Sequence, residues 1–221
     1  MTKVFIDGSY GTTGLRIHQR LQSRRDLELI AIPYEERHNE SARRKAYEEA
    51  DFVFMCLPDA AAKEAVPMAK ACHTRVIDAS TAHRTADGWV YGFPEISGTA
   101  AIERAPLVAN PGCHASGVNA LIYPLIRNGI LSPAQKLQCF SLTGYSGGGK
   151  KMIGEYESDH RDALLDAPRM YGLSQQHKHL PEIAALNGLE CAPIFCPIVS
   201  DYYCGMETII PLFDSDIHGI M

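Results

Sequence analysis

The chain has 221 residues, 46% of them hydrophobic and 21% charged, with a net charge of −5. That length carries one large domain or two small ones with a sizeable core, and the mildly acidic balance excludes a nucleic-acid footprint or a polybasic membrane surface. No apolar run approaches the roughly 20 residues of a membrane helix, and the opening "MTKVFIDGSYG" goes straight into a strand pattern without a charged leader, so a soluble, cytoplasmic protein is expected.

In chain order, "KVFID" and "LELIAIP" read as strands, followed by the charged helical segment "NESARRKAYEEA". Then come the strand "DFVFMCLP", the Ala-rich helix "DAAAKEAVPMAKAC" and the strand "TRVIDAS", with "WVYGFPEI" and "APLVANPG" as further strands. Short strands that are apolar almost throughout, separated by helices, imply a parallel sheet covered on both faces. Beyond Cys113 the pattern changes. "HASGVNALIYPLIRNG" reads as a helix with an apolar stripe of Val118, Leu121, Ile122, Leu125 and Ile126, ended by Gly129, with a kink or break at Pro124. "KLQCFSLTG" is a strand, "YSGGGK" a glycine cluster leading into a polar stretch to Gln176, and "HKHLPEIAALNG" a short helix. "CAPIFCPIVSDYYCGMETIIPLF" reads as two long strands around a turn, hence a mainly antiparallel sheet. The expected fold is α/β: a Rossmann dinucleotide-binding domain over residues 1–112 and an α+β catalytic domain with a mainly antiparallel sheet over residues 113–221.

The seven cysteines are odd in number and scattered, with no C-x-x-C pair, which fits neither a disulfide framework nor a zinc site; no metal is expected. Gly8, Gly11 and Gly14 follow a strand and precede a helix. Their missing side chains let the backbone turn tightly and approach a pyrophosphate, whose charge meets the N–H groups of a helix start. Gly8, Ser9, Tyr10, Gly11, Thr12, Thr13 and Gly14 are therefore the candidate cofactor loop. After the second strand, "IPYEERHNESARR" offers Glu35 and Glu36 but also Arg37, Arg43 and Arg44. An acid there holds a ribose hydroxyl, whereas an arginine accepts a 2′-phosphate, and the balance favours NADP(H), with Arg37 the residue best placed for it.

Cys113 sits behind Asn-Pro-Gly, between a strand and a helix. The unpaired N–H groups and dipole of a helix start favour a thiolate, and the turn holds the sulfur exposed, as a nucleophile requires. "SQQHKHLPEI" supplies His177 and His179 as acid/base partners and Glu182 to orient an imidazole, bind substrate or cap the next helix. "DASTAHR" places Ser80, Thr81, His83 and Arg84 beyond the carboxyl end of a strand, and "GYSGGGK" offers Ser146, Gly147 and Lys150 as an anion cradle. With Asn110 and Glu182, the candidate substrate-binding set is Ser80, Arg84, Asn110, Ser146, Gly147, Lys150 and Glu182, suited to a phosphorylated or carboxylated molecule.

Together "DGSYGTTG", "DASTAHRTADGWVYGFPE", "NPGCHASG", "GYSGGGK" and "HKHLPEI" closely resemble N-acetyl-γ-glutamyl-phosphate reductases of arginine biosynthesis in their shorter form, relatives of aspartate-semialdehyde dehydrogenase. The resemblance implies NADPH-dependent reduction of N-acetyl-glutamyl 5-phosphate to the 5-semialdehyde through a thioester on Cys113. One imidazole of "HKH" would move protons, His177 in preference to His179, with His114 the next candidate. It implies a homo-oligomer acting on a small acyl phosphate, with no nucleic-acid or membrane partner. It also implies a closing segment beyond "IIPLF" that lines the nicotinamide, which a sequence ending "DSDIHGIM" is expected to lack. Two other readings remain: a cysteine hydrolase or acyltransferase that uses no nucleotide, and a non-catalytic nucleotide-binding remnant.

Overall fold

A computed structural model describes residues 1–217, and His218 to Met221 lie outside the described residues. The chain divides into two compact units, Met1–Pro111 and Gly112–Met221.

The first unit runs β1 (Thr2–Asp7), α1 (Thr12–Leu21), β2 (Leu27–Ile30), α2 (Glu40–Glu49), β3 (Phe52–Met55), α3 (Asp59–Ala71), β4 (Arg75–Asp78), β5 (Val90–Tyr91), α4 (Pro94–Ser97), α5 (Thr99–Arg104) and β6 (Leu107–Ala109). Its six strands pair in the order β2-β1-β3-β4-β6-β5, all parallel. Phe5, Tyr47, Val53, Met55 and Val76 meet in one core with the small side chains Ala62, Ala65 and Ala69 of α3; alanines let a helix lie close to a sheet. Each large apolar side chain buried there stabilises the unit by roughly 1.5–3 kcal/mol. Asn39 starts α2 by accepting the N–H groups of Ser41 and Ala42, the usual office of an N-cap asparagine. "WVYGFPEI" keeps only Val90 and Tyr91 as strand, because Pro94 sits in the first turn of α4, where its missing N–H costs nothing.

The second unit runs α6 (Cys113–Arg127), β7 (Gln138–Gly144), α7 (Gly149–Tyr156), β8 (Arg169–Met170), α8 (Leu180–Asn187), β9 (Ile194–Ser200) and β10 (Met206–Ile209). Its sheet order is β10-β7-β9-β8. The edge pairings are antiparallel, but the long central pair β7–β9 is parallel over seven residues, so the sheet is mixed. β9 and β10 do not pair around their turn, as the sequence suggested; β7 lies between them, with its backbone groups bonded on both sides. The polar stretch to Gln176 holds α7, a 3₁₀ turn at Ala163–Asp166 and β8, with Tyr156, Leu165 and Val199 as a small core. α6 continues through Pro124 to Arg127 rather than breaking. Ala115, Val118 and Ile122 form its buried stripe, while Leu121, at the stripe's edge, remains 45% exposed. α8 ends where Gly188 takes the left-handed conformation. Among the described residues, no helix is long and apolar enough to cross a membrane.

Candidate active site

The nucleotide loop is built from what its glycines lack. Gly8 has a φ of +87°, and a Cβ on it would stand 2.4 Å from the carbonyl oxygen of Cys56; one on Gly14 would stand 2.3 Å from the carbonyl oxygen of Gly8. Only bare backbone lets the end of β1 fold against the end of β3 and run into α1. The N–H of Gly11 donates to the Gly8 carbonyl at 3.0 Å, and Gly11 caps α1 without a side chain, the kind of helix start that suits an anion. Beside the loop is a cleft of about 370 Å³ lined by Asp7 to Gly11, Ile32, Arg37, Arg43 and Cys56 to Pro58. It opens where the strand order reverses between β1 and β3, the switch point at which such sheets bind ligands.

The three arginines separate by geometry. Arg43 donates to Asp7 Oδ2 at 2.6 Å and Tyr47 donates to the same oxygen at 2.8 Å, so the charge of Arg43 is balanced by a buried carboxylate. Arg44 pairs with Glu40 at 3.2 Å on an exposed helix face. Arg37 lies on the cleft rim, its guanidinium 3.7 Å above the Tyr34 ring and one N–H on the Tyr34 carbonyl. Tyr34 in turn meets Tyr10 edge-on at 5.0 Å, and the Tyr10 hydroxyl donates to the Ile32 carbonyl. A glycine cradle, a glycine-capped helix start and a cationic rim fit a dinucleotide bearing a 2′-phosphate. Sequence reasoning passed over Asp7, although an acid directly before the first glycine was a visible signal. Cys56 is on the cleft wall, and burial pushes its thiol up to about 12, which favours the protonated form.

At the end of β4 a carboxylate organises the polar side chains. Ser80 is buried and its hydroxyl donates to Asp78 Oδ2 at 2.7 Å, so its proton is engaged within the fold. The same carboxylate receives the Ser80 N–H and His83 Nδ1, and the His83 ring stacks on Trp89 at 4.2 Å. Arg84 Nε donates to the Asn110 carbonyl at 3.0 Å, and the Asn110 N–H donates to the Asp78 carbonyl at 2.8 Å. Arg84 and Asn110, both placed in the substrate set from sequence, thus meet each other at the carboxyl end of the first sheet.

In the second unit Cys113 is exposed and is the first residue of α6. Its N-cap, Gly112, brings no side chain to the first-turn N–H groups. Gly112 is gripped from two directions. Its N–H donates to Glu182 Oε1 at 2.8 Å, and its carbonyl receives the N–H and hydroxyl of Ser116 at 2.8 and 2.9 Å. Glu182 is buried, and its carboxylate holds the backbone of the residue directly before Cys113.

Three imidazoles gather here. His114 and His177 lie 5.6 Å apart, His177 and His179 4.8 Å, and the Phe195 ring packs against His114 and His177 at 5.3 and 4.9 Å. The N–H of His179 donates to His177 Nδ1 at 3.3 Å, so the neutral His177 ring carries its proton on Nε2. Partial burial, then the Lys178 charge, lowers the pKa of His177. His179 is buried whereas His177 is half-exposed, which makes His177 the ring open to exchange with a bound substrate. The loop before it is stapled to β9: Tyr171 N–H donates to the Pro197 carbonyl, and the Gln175 amide bonds both backbone groups of Phe195 at 2.8 Å. Tyr171, Gln175 and Ser141 escaped the sequence reading, because no motif spacing links them to the cysteine.

The glycine cluster is less bare than its sequence suggested. The N–H groups of Gly144, Tyr145 and Ser146 donate to the carbonyls of Gly205, Tyr202 and Tyr203. These amides fasten a loop and do not cradle an anion. Gly147, in the 3₁₀ turn before α7, and Lys150, in its first turn, are exposed.

Residues 3–105 match the family described as semialdehyde dehydrogenase, NAD binding domain, and residues 113–216 match semialdehyde dehydrogenase, dimerisation domain. The chain is 47% identical over 212 residues to an N-acetyl-gamma-glutamyl-phosphate reductase of Chelativorans sp., covering 95% of this chain and 68% of the relative. It is 46% identical over 219 residues to a reductase of the same name from Rhizobium etli, covering 97% of this chain and 71% of the relative. Among solved structures, aspartate semialdehyde dehydrogenase II of Vibrio cholerae superposes with a TM-score of 0.68 at 14% identity over 95% of this chain and 73% of that one, which shows the shared fold. On these grounds the chain belongs to the N-acetyl-gamma-glutamyl-phosphate reductase family.

Proposed function

We propose that this chain catalyses the reduction of N-acetyl-glutamyl 5-phosphate to N-acetyl-glutamate 5-semialdehyde with NADPH, releasing phosphate, as a step of arginine biosynthesis. The observation that carries the reading is Cys113, exposed at the first turn of α6 with Gly112 held by Glu182, in a chain that also carries a glycine-built nucleotide loop. The Cys113 thiolate attacks the acyl carbon, a C–S bond forms, and the C–O bond to phosphate breaks. NADPH, when bound through the Gly8–Gly14 loop and Arg37, supplies hydride to that carbon. As hydride adds, the His177 Nε2–H donates a hydrogen bond to the adduct's oxygen, and that bond relaxes as the oxygen's electron pair returns to carbon and the C–S bond breaks, freeing aldehyde and thiolate. Arg84 and Lys150 are the cations offered to the substrate's anionic groups. We place the enzyme in the cytoplasm as a homo-oligomer, a state supported by the dimerisation-domain match.

The test runs the reaction backwards: phosphate-dependent reduction of NADP by the semialdehyde, alongside fluorescence titration with NADPH. A saturable NADPH signal with phosphate-dependent turnover supports the reductase. Thioester hydrolysis without any nucleotide signal would instead favour a cysteine hydrolase, a reading the NAD-binding match over residues 3–105 does not favour.

A further inference from the structure

His114 follows the nucleophile directly and is buried, yet both of its ring nitrogens have oxygen partners. Nδ1 lies 2.6 Å from Ser141 Oγ and Nε2 lies 2.8 Å from the Tyr171 hydroxyl. Burial, then the charge of His177, takes His114 down to about 4, so near neutrality the ring is uncharged and donates from one nitrogen while accepting at the other. The chain of bonds therefore has two directions. When Ser141 donates to Nδ1, the proton sits on Nε2, Nε2 donates to Tyr171, and the Tyr171 O–H is left to donate onward. When Nδ1 donates to Ser141, Tyr171 spends its proton on the imidazole.

The direction matters because the Tyr171 hydroxyl meets the ring of the residue that follows Cys113, and its own ring lies 6.0 Å from that of His177. Burial and then the charge of Cys113 raise the Tyr171 phenol to about 12, which keeps the hydroxyl protonated as thiolate and oxyanion form beside it. We propose that Tyr171 donates a hydrogen bond to the acyl oxygen of the group carried on Cys113, and that Ser141 and His114 are positioning residues that hold its hydroxyl in that direction. The proposal rests on the reading of Cys113 as the nucleophile. As sulfur adds to the acyl carbon, the carbonyl pair moves onto oxygen and that oxygen receives the Tyr171 hydrogen bond; the proton stays on Tyr171. When the C–O bond to phosphate breaks, the pair returns and the bond relaxes. Ser141 on β7, His114 on α6 and the Tyr171 backbone bonded to β9 give the donor a fixed seat, which electrostatic stabilisation of a developing charge requires.

The experiment measures kcat and KM for phosphate-dependent semialdehyde oxidation in Tyr171→Phe, His114→Gln and His114→Phe, together with iodoacetamide alkylation of Cys113. Tyr171→Phe keeps the ring and removes the donor. It should lower kcat on the order of a hundredfold with KM near wild type and Cys113 still alkylated. His114→Gln, whose amide can both donate and accept, should retain more kcat than the shape-conserving His114→Phe. Tyr171→Phe with wild-type kcat overturns the proposal, as does a thermal shift with kcat unchanged. If Tyr171→Phe does not fold, the two His114 variants decide, and equal kcat in both overturns it. Cys113→Ala serves as the control: activity in that variant refutes the nucleophile itself. A dead Cys113→Ala beside a fully active Tyr171→Phe refutes only the role of Tyr171.

Discussion

The buried carboxylate of Glu182 accepts the backbone N–H of Gly112 at 2.8 Å, so a helical residue 70 positions further along the sequence fixes the residue on which the Cys113 helix begins. Glu182→Ala leaves that N–H buried without its acceptor. The expected loss is about 1–3 kcal/mol of stability and a fall in kcat, whereas Glu182→Gln, whose amide oxygen can accept the same bond, should retain most of both. Urea unfolding and steady-state rates of the two variants check this; equal stability of Ala and wild type would contradict it.

Gly8→Ala meets two obstacles, a φ of +87° and a Cβ 2.4 Å from the Cys56 carbonyl oxygen. Strain of this kind costs about 1–3 kcal/mol, and relief by moving β1 from β3 would open the cofactor cleft. A lower thermal midpoint with weaker NADPH binding is expected. A variant that binds NADPH as wild type does would remove Gly8 from the cradle.

Arg37→Leu should weaken NADP by about tenfold to a hundredfold, the worth of one charge-assisted hydrogen bond, and leave NAD nearly untouched. Arg43 cannot replace it while its guanidinium answers Asp7. Equal weakening of both cofactors in paired titrations would show that Arg37 shapes the rim through Tyr34 and does not read the 2′-phosphate.

Stability should depend on pH through His114. Its pKa is lowered from 6.5 to about 4 in the folded state, so below pH 6.5 the unfolded chain binds the proton that the folded chain refuses. The contribution is present above pH 6.5 and is lost as pH falls towards 4. Between pH 7 and pH 5 this one group removes about 2 kcal/mol. His114→Gln should flatten that part of the urea-stability profile; an unchanged slope would assign the acid sensitivity to other groups.

Much of this was legible along the chain, and the reasons it stopped are physical. The parallel sheet showed in apolar strands spaced by helices, and the Gly8, Gly11 and Cys113 turns showed in local backbone demands. What one stretch cannot report is which partner a polar group chooses. The bond from the Ser80 hydroxyl to Asp78 has no mark in the sequence, and the amides of Gly144, Tyr145 and Ser146 read as bare although they bond carbonyls of Tyr202, Tyr203 and Gly205. The parallel pairing of β7 with β9 depends on a strand 50 residues away, where periodicity within each strand carries no information on direction. Tyr171 and Ser141 were invisible for a related reason: what marks them is their bonds to His114, which no stretch of sequence shows.

The central claim is covalent catalysis by Cys113, and one measurement addresses it directly. The enzyme is mixed with semialdehyde and NADP but without phosphate, and NADPH formation is followed together with the mass of the Cys113 peptide. Without phosphate to release it, the thioester should accumulate: a burst approaching one NADPH per active site, with an N-acetyl-glutamyl group on Cys113. A burst with no acyl group there, or with the acyl group on another residue, would contradict the account.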